Sequence, residues 1–136
     1  MPKLDHVLET ALYFDDLDGA GRFYDEVFEL KPIFHDGRLR AYALGNTVLL
    51  LFKRGASRET VELPGGAIPP HDGAGPVHIA FAVGKDELEP WEQKLARHGV
   101  AIEARMRWPK GSVSIYFRDP GNHCLELATP GLWVNY

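Results

Sequence analysis

His78, Tyr116 and Glu126 are residues whose types and spacing suggest chemistry rather than packing. Residues two apart in a β-strand point to the same face. In the run from Val77, the apolar residues Val77, Ile79, Phe81 and Val83 share one face, leaving His78 on the other beside Ala80 and Ala82. Further on, Val113, Ile115 and Phe117 separate from Ser112, Ser114, Tyr116 and Arg118, and His123, Leu125 and Leu127 separate from Cys124, Glu126 and Ala128. One sheet face therefore collects His78, Ser114, Tyr116 and Glu126. His6 shares a face with Leu8, Thr10 and Leu12, and joins the set if that face is also the concave one. Two imidazoles and one carboxylate on rigid strands form a facial set for Fe2+, Mn2+ or a similar divalent ion, with positions left open for substrate oxygens. The plainer reading is a core or surface histidine and a glutamate paired with an arginine, and alternation alone does not separate the two.

Positioning these residues requires two short series of elements. In the first half, Leu4 to Leu12 reads as a strand, and Asp18 caps a helix from about Gly19 to Leu30, where Pro32 ends it. Strands follow at about 33–35, 39–44 and 47–53, with turns at Asp36-Gly37 and Gly45-Asn46. Residues 64–76 carry Gly65-Gly66, Pro69-Pro70 and Asp72-Gly73 and read as a linker without regular structure. In the second half, Val77 to Val83 reads as a strand. Asp86 and Glu89 form a capping box for a helix with Leu88, Trp91 and Leu95 on one face, and Gly99 ends it. Pro90 moves the start of that helix toward itself. Strands are expected at 102–105, 112–118 and 124–128, the last two joined by Asp119-Pro120-Gly121-Asn122. The unit βαβββ thus occurs twice, over modules of about 4–63 and 77–130.

Composition sets the outer bounds. With 136 residues, 45% of them hydrophobic and 25% charged, the chain fits one soluble domain. A net charge of -4 gives no electrostatic footprint for nucleic acid. The single cysteine, Cys124, permits no intrachain disulfide, and no run reaches the roughly 18 apolar residues of a membrane span. A cytoplasmic location is expected. Arg105, Arg107 and Lys110 form a basic stretch broken by Trp108 and Pro109, read mainly as a solvated loop; His35 and His98 read as surface residues and Cys124 as a small packed thiol.

Asp5-His6-Val7, Arg22-Phe23-Tyr24, His78-Ile79-Ala80-Phe81 and the ending from Tyr116 to Leu127 resemble the glyoxalase, bleomycin-resistance and extradiol-dioxygenase superfamily, the vicinal oxygen chelate proteins. The resemblance spans Leu4 to about Ala128, and the closing Asp119-Pro120-Gly121-Asn122 followed by Glu126 is its most specific part. It implies an α+β fold of paired βαβββ modules around a U-shaped, partly open mixed β-sheet cleft with helices outside. It also implies a divalent metal on His6, His78 and Glu126, with Fe2+ or Mn2+ favoured over Zn2+, Ni2+ or Mg2+. Metal-binding glyoxalase I proteins add a carboxylate from the last strand of the first module, where this chain has Val48-Leu49-Leu50-Leu51-Phe52. The remaining set resembles the extradiol dioxygenases and the fosfomycin-resistance thiol transferases, both of which place a substrate-contacting tyrosine where Tyr116 stands. Ser114 fits the thiol transferases, whereas Leu8 replaces a threonine they carry. His71 is the candidate for the dioxygenases' cleft acid or base. The expectation is a small extradiol-dioxygenase-type enzyme, a homodimer, acting on an organic substrate whose nonpolar body meets Leu8, Leu50 and Phe52. The alternatives are a metal-free binding protein of the bleomycin-resistance kind and a fosfomycin-type thiol transferase.

Overall fold

Asp16 opens the first helix: its extended backbone and a carboxylate accepting from Gly19 N at 3.0 Å make it the N-cap. The computed structural model describes all 136 residues, and they form two compact units, Met1–Ala74 and Gly75–Tyr136. The first contains β1 (Glu9–Phe14), α1 (Leu17–Glu26), β2 (Phe34–His35), β3 (Leu39–Leu44), β4 (Thr47–Lys53), β5 (Val61–Leu63) and β6 (Gly66–Ile68). The second contains β7 (His78–Ala82), a 3-10 turn (Lys85–Glu87), α2 (Leu88–Arg97), β8 (Ala104–Arg107), β9 (Val113–Arg118) and β10 (Cys124–Ala128). The sheets run β1-β4-β3-β2 and β7-β10-β9-β8, and β5 and β6 form a separate hairpin. This is the expected α+β class, with βαβββ repeated.

In both sheets the first strand lies parallel to the last, Glu9 opposite Val48 and His78 opposite Cys124, which requires the helical crossover between them. One face of each sheet is covered by that helix. In the first unit Leu12, Phe14, Tyr42, Leu49 and Leu51 are buried together with Leu17, Ala20 and Tyr24 of α1. In the second, Ile115, Phe117, Leu125 and Leu127 are buried along with Leu88 and Leu95 of α2. Each buried Leu, Ile or Phe side chain among them contributes roughly 1.5–3 kcal/mol of transfer free energy. The opposite face of the second sheet carries His78, Ser114, Tyr116 and Glu126, whereas that of the first is mostly apolar, with Ala11, Tyr13, Leu39, Leu50 and Phe52 beside Glu9.

Several boundaries differ from the sequence expectation for identifiable reasons. The first strand starts at Glu9 rather than Leu4, because its partner β4 begins only at Thr47, and the first cross-link is Val48 N to the Leu8 carbonyl at 2.8 Å. Asp16 replaces Asp18 as cap, and α1 stops at Glu26, with Glu29 in the left-handed region at φ 54° well before Pro32. Residues 64–76 are not wholly irregular. Pro64-Gly65 turns β5 into β6, and Gly66 at φ 150° has backbone freedom that a side chain would restrict. In the second unit the Asp86–Glu89 box is replaced by Glu87, whose carboxylate accepts from Gly84 N at 3.1 Å. Pro90 falls in the first turn of α2, where an N–H has no intrahelical partner to lose. The strand expected at 102–105 lies at Ala104–Arg107.

Candidate functional site

Cross-strand register builds the second unit's polar face. Glu126 on β10 lies opposite Tyr116 of β9 and Ala80 of β7, and His78 lies opposite Cys124. Glu126 is only 4% exposed, so its carboxylate must be satisfied within the protein. Ser114 Oγ donates to Glu126 Oε2 at 2.5 Å, and Trp108 Nε1 donates to Ser114 Oγ at 2.8 Å. This relay orients the carboxylate and leaves Oε1 facing His78 Nε2 at 3.2 Å.

The other nitrogen of His78 determines what Nε2 can do. Nδ1 donates to the Cys124 carbonyl at 2.8 Å, which places the proton of a neutral ring there and leaves a lone pair on Nε2. Two lone pairs then converge, one from imidazole and one from carboxylate, and only a shared proton or a cation relieves that arrangement. An imidazole fixed through a backbone carbonyl beside a buried, hydrogen-bonded carboxylate is also how metal ligands are commonly supported. The pair therefore fits a divalent ion. No group of three or more His, Cys, Asp or Glu side chains able to hold a metal is gathered in the structure.

Tyr116 stacks beside His78, ring centroids 6.2 Å apart. Burial, and next the negative charge of Glu126, raise its pKa, so the phenol keeps its proton at neutral pH and can donate it. Cys124 is a half-buried free thiol whose backbone holds His78.

His6 is placed differently from the expectation. It precedes β1, and the face of Thr10 and Leu12 with which it was grouped is the one that buries Leu12 beneath α1. Its Nδ1 meets Asp5 Oδ2 at 2.6 Å and its Nε2 the Asn46 carbonyl at 3.2 Å. Both partners are acceptors, so a neutral ring can donate to only one of them. Leu8 is 62% exposed ahead of the same strand. Leu50 and Phe52 lie on the uncovered face of β4, in register with Ala11 and Tyr13. Arg105 is ion-paired to Glu92 of α2 and stands in register with buried Ile115, away from the polar face.

Sequence reasoning passed over three residues. Trp108 was read only as an interruption of a basic stretch. Tyr13 belongs to a first-unit cavity of about 420 Å³, where its hydroxyl meets His71 Nδ1 at 2.5 Å. Glu9 opens β1 as His78 opens β7, and Leu50, two residues beyond Glu9's partner Val48, is the counterpart of Glu126. The repeat of βαβββ did not single out Glu9, because the sequence alone starts the first strand at Leu4 and only its pairing with β4 moves the start to Glu9.

Residues 3–127 match the family model of the Glyoxalase/Bleomycin resistance protein/Dioxygenase superfamily, so the chain belongs to that superfamily. Among individual proteins, it is 32% identical to the metallothiol transferase FosB of Bacillus licheniformis, over 93% of this chain and 74% of that protein. FosB of Staphylococcus saprophyticus is 30% identical, over 93% and 76%. A crystal structure of lactoylglutathione lyase from Agrobacterium tumefaciens superposes with a TM-score of 0.88 at 34% identity, covering 98% of this chain and 99% of that one. Likeness to this enzymatic superfamily, and to relatives of these names, supports an enzyme.

Proposed function

We propose that the chain is a divalent-metal enzyme that joins a thiol to an electrophilic organic substrate, the metallothiol-transferase form of this superfamily's chemistry. The observation that carries the reading is the convergence of His78 Nε2 and Glu126 Oε1 at 3.2 Å, with each side chain oriented from behind by a hydrogen bond. The curated relatives direct the choice of reaction, since they are named for metallothiol transfer, and this displaces the extradiol-dioxygenase expectation. The A. tumefaciens neighbour keeps a lyase as the second reading, although Leu50 stands where the glyoxalase I carboxylate would be sought.

His78 and Glu126 would hold the ion, and two other side chains are candidates for a further ligand. His6 is the sequence candidate. Glu9 is the one favoured by its place at the start of β1, matching His78 at the start of β7. Nitrogen and carboxylate donors suit Mn2+ or Fe2+, with Zn2+, Ni2+ or Mg2+ as alternatives. A bound ion would polarise a substrate oxygen as a Lewis acid. Tyr116 donates a proton to the oxygen that takes up charge as its bond to carbon breaks and the sulfur–carbon bond forms, and the proton given up by the thiol passes through solvent to restore the phenol. Trp108 and Ser114 hold Glu126 in place throughout.

Metal content and thiol consumption test the proposal together. The protein should bind close to one Mn2+ per chain, and Glu126→Gln or His78→Ala should abolish that binding. Loss of free thiol on incubation with the epoxide fosfomycin and cysteine or glutathione should require both the ion and Glu126. Failure of reconstituted wild-type protein to hold any divalent ion would sink the metal reading. Thiol loss indifferent to chelator and to Glu126→Gln would sink the transferase reading. Comparing His6→Ala with Glu9→Gln by metal titration identifies the third ligand.

A further inference from the structure

The first unit's uncovered face, which carries Glu9 and the expected substrate contacts Leu50 and Phe52, also holds a cluster whose charged groups the metal reading leaves unassigned. Phe52 lies at its centre, with Tyr13 stacked at 5.7 Å, the His71 ring edge-on at 4.8 Å and the Arg38 guanidinium over its face at 5.8 Å. All four line the cavity, together with Leu50 and Ile68.

The polar groups of this cluster are held in place but only partly satisfied. Burial, and next the charge of Asp72, raise the Tyr13 pKa, so the hydroxyl keeps its proton and donates it to His71 Nδ1. Nε2–H of a neutral His71 then points onward without a protein partner. The backbone of His71 is pinned by its N–H to the Ser57 carbonyl at 2.8 Å, and neighbouring Asp72 is tied to Gly55 N and Arg58 Nε. Arg38 is half-buried, and its guanidinium has one long contact, to Ser57 Oγ at 3.5 Å, and no carboxylate within ion-pair distance. The nearby Asp36 carboxylate accepts the backbone N–H groups of Arg38 and Leu39 instead. A half-buried cation beside an unpaired N–H donor calls for an anion.

Charge is also graded along the cavity. Tyr13 lies in register with Phe52 and Leu39, whereas Glu9 lies four residues back, opposite Val48. At ~3.3 Å per residue this separates the acidic end from the Arg38 end by ~13 Å.

We propose that this face is a binding pocket for a small organic oxyanion, its charged group docking on Arg38 and His71 and its apolar body on Phe52, Leu50 and Ile68. The pocket deepens the metal-enzyme reading, on which its role as the substrate's seat rests and whose expected contacts Leu50 and Phe52 it shares, but anion binding to it does not require the ion. Calorimetric titration of metal-free and Mn2+-loaded protein with phenylacetate, phenylphosphonate and neutral 2-phenylethanol tests it. Both anions should bind saturably and at least tenfold more tightly than the alcohol in either form of the protein. Arg38→Met should abolish the difference, Arg38→Lys should retain part of it, His71→Phe should weaken the anions severalfold without affecting the alcohol, and Glu126→Gln should change nothing. Equal binding of alcohol and anions, a preference that survives both Arg38→Met and His71→Phe, or no saturable binding at all would overturn the assignment. Loss of anion binding in Glu126→Gln alone would also overturn it, placing the anion at the metal centre. Failure of the metal proposal leaves the metal-free titration unchanged, so the two ideas fail separately.

Discussion

A buried carboxylate shared between a serine and an imidazole is an arrangement in which small changes in orientation matter more than changes in charge. Trp108 reaches Glu126 only through Ser114, whose rotor it fixes and, with it, the carboxylate plane of Glu126. Supporting partners of this kind typically change metal affinity by about 10–100-fold when removed. Trp108→Phe should therefore weaken Mn2+ binding by about tenfold with little change in melting temperature, and Ser114→Ala by more, as read by competition with a metal indicator dye. Equal affinity in all three proteins would show that the relay is structural only. Half of this site was legible in the sequence. Strand alternation placed His78, Ser114, Tyr116 and Glu126 on one face, because every one of them sits on a strand with a clean period of two. Alternation failed for His6, because periodicity cannot reveal that the partner strand starts too late to pair residues 4–7. It could not show Trp108 either, since side chains that meet across a loop leave no periodic trace.

Among the elements, the segment after β6 departs most from expectation. Its Gly and Pro content announced a linker, yet residues 71–73 pack as a wall against β1, held by Asp72 and by close approach of Gly73 to the Tyr13 ring. A Cβ on Gly73 would lie 2.4 Å from Tyr13 Cδ2, a separation that forces the ring or the segment to move. Gly73→Ala should cost about 1–3 kcal/mol in denaturant unfolding. It should also weaken phenylacetate binding, whereas alanine at Gly65, which has open space around it, should do neither. Composition distinguishes irregular from regular backbone, but it does not distinguish an irregular segment that is free from one that is tied down. That difference rests on single contacts such as Asp72 with Arg58, which are separated by 14 positions and invisible to any local window. The central strands, by contrast, appear where expected. The β3–β4 hairpin and β10 carry turn signals immediately beside unbroken apolar runs, and both signals agree.

For the molecule as a whole, titration adds a further test. Tyr42 is fully buried, and that burial pushes its pKa up to about 12 although Arg40 donates to its oxygen; its own hydroxyl donates to Asp25 at 2.7 Å. A folded-state pKa above the unfolded value of 10 favours the protonated fold. This stabilisation is complete below pH 10 and is lost as pH rises toward 12. Chemical denaturation from pH 9 to 12 should show a loss on the order of 2 kcal/mol that Tyr42→Phe flattens. At neutral pH the same variant should be less stable by about 1 kcal/mol for the lost hydrogen bond. A steeper decline in the variant than in the wild type would contradict the assignment. The parallel pairing of β7 with β10 also determines when the proposed metal pair can form. His78 leaves the ribosome 48 residues ahead of Glu126, and its strand finds its neighbour only after α2 and both intervening strands have been made. The second unit thus closes around its two candidate ligands in the last act of its own folding, so a divalent ion would act as a late clasp on a nearly finished sheet rather than as an early nucleus.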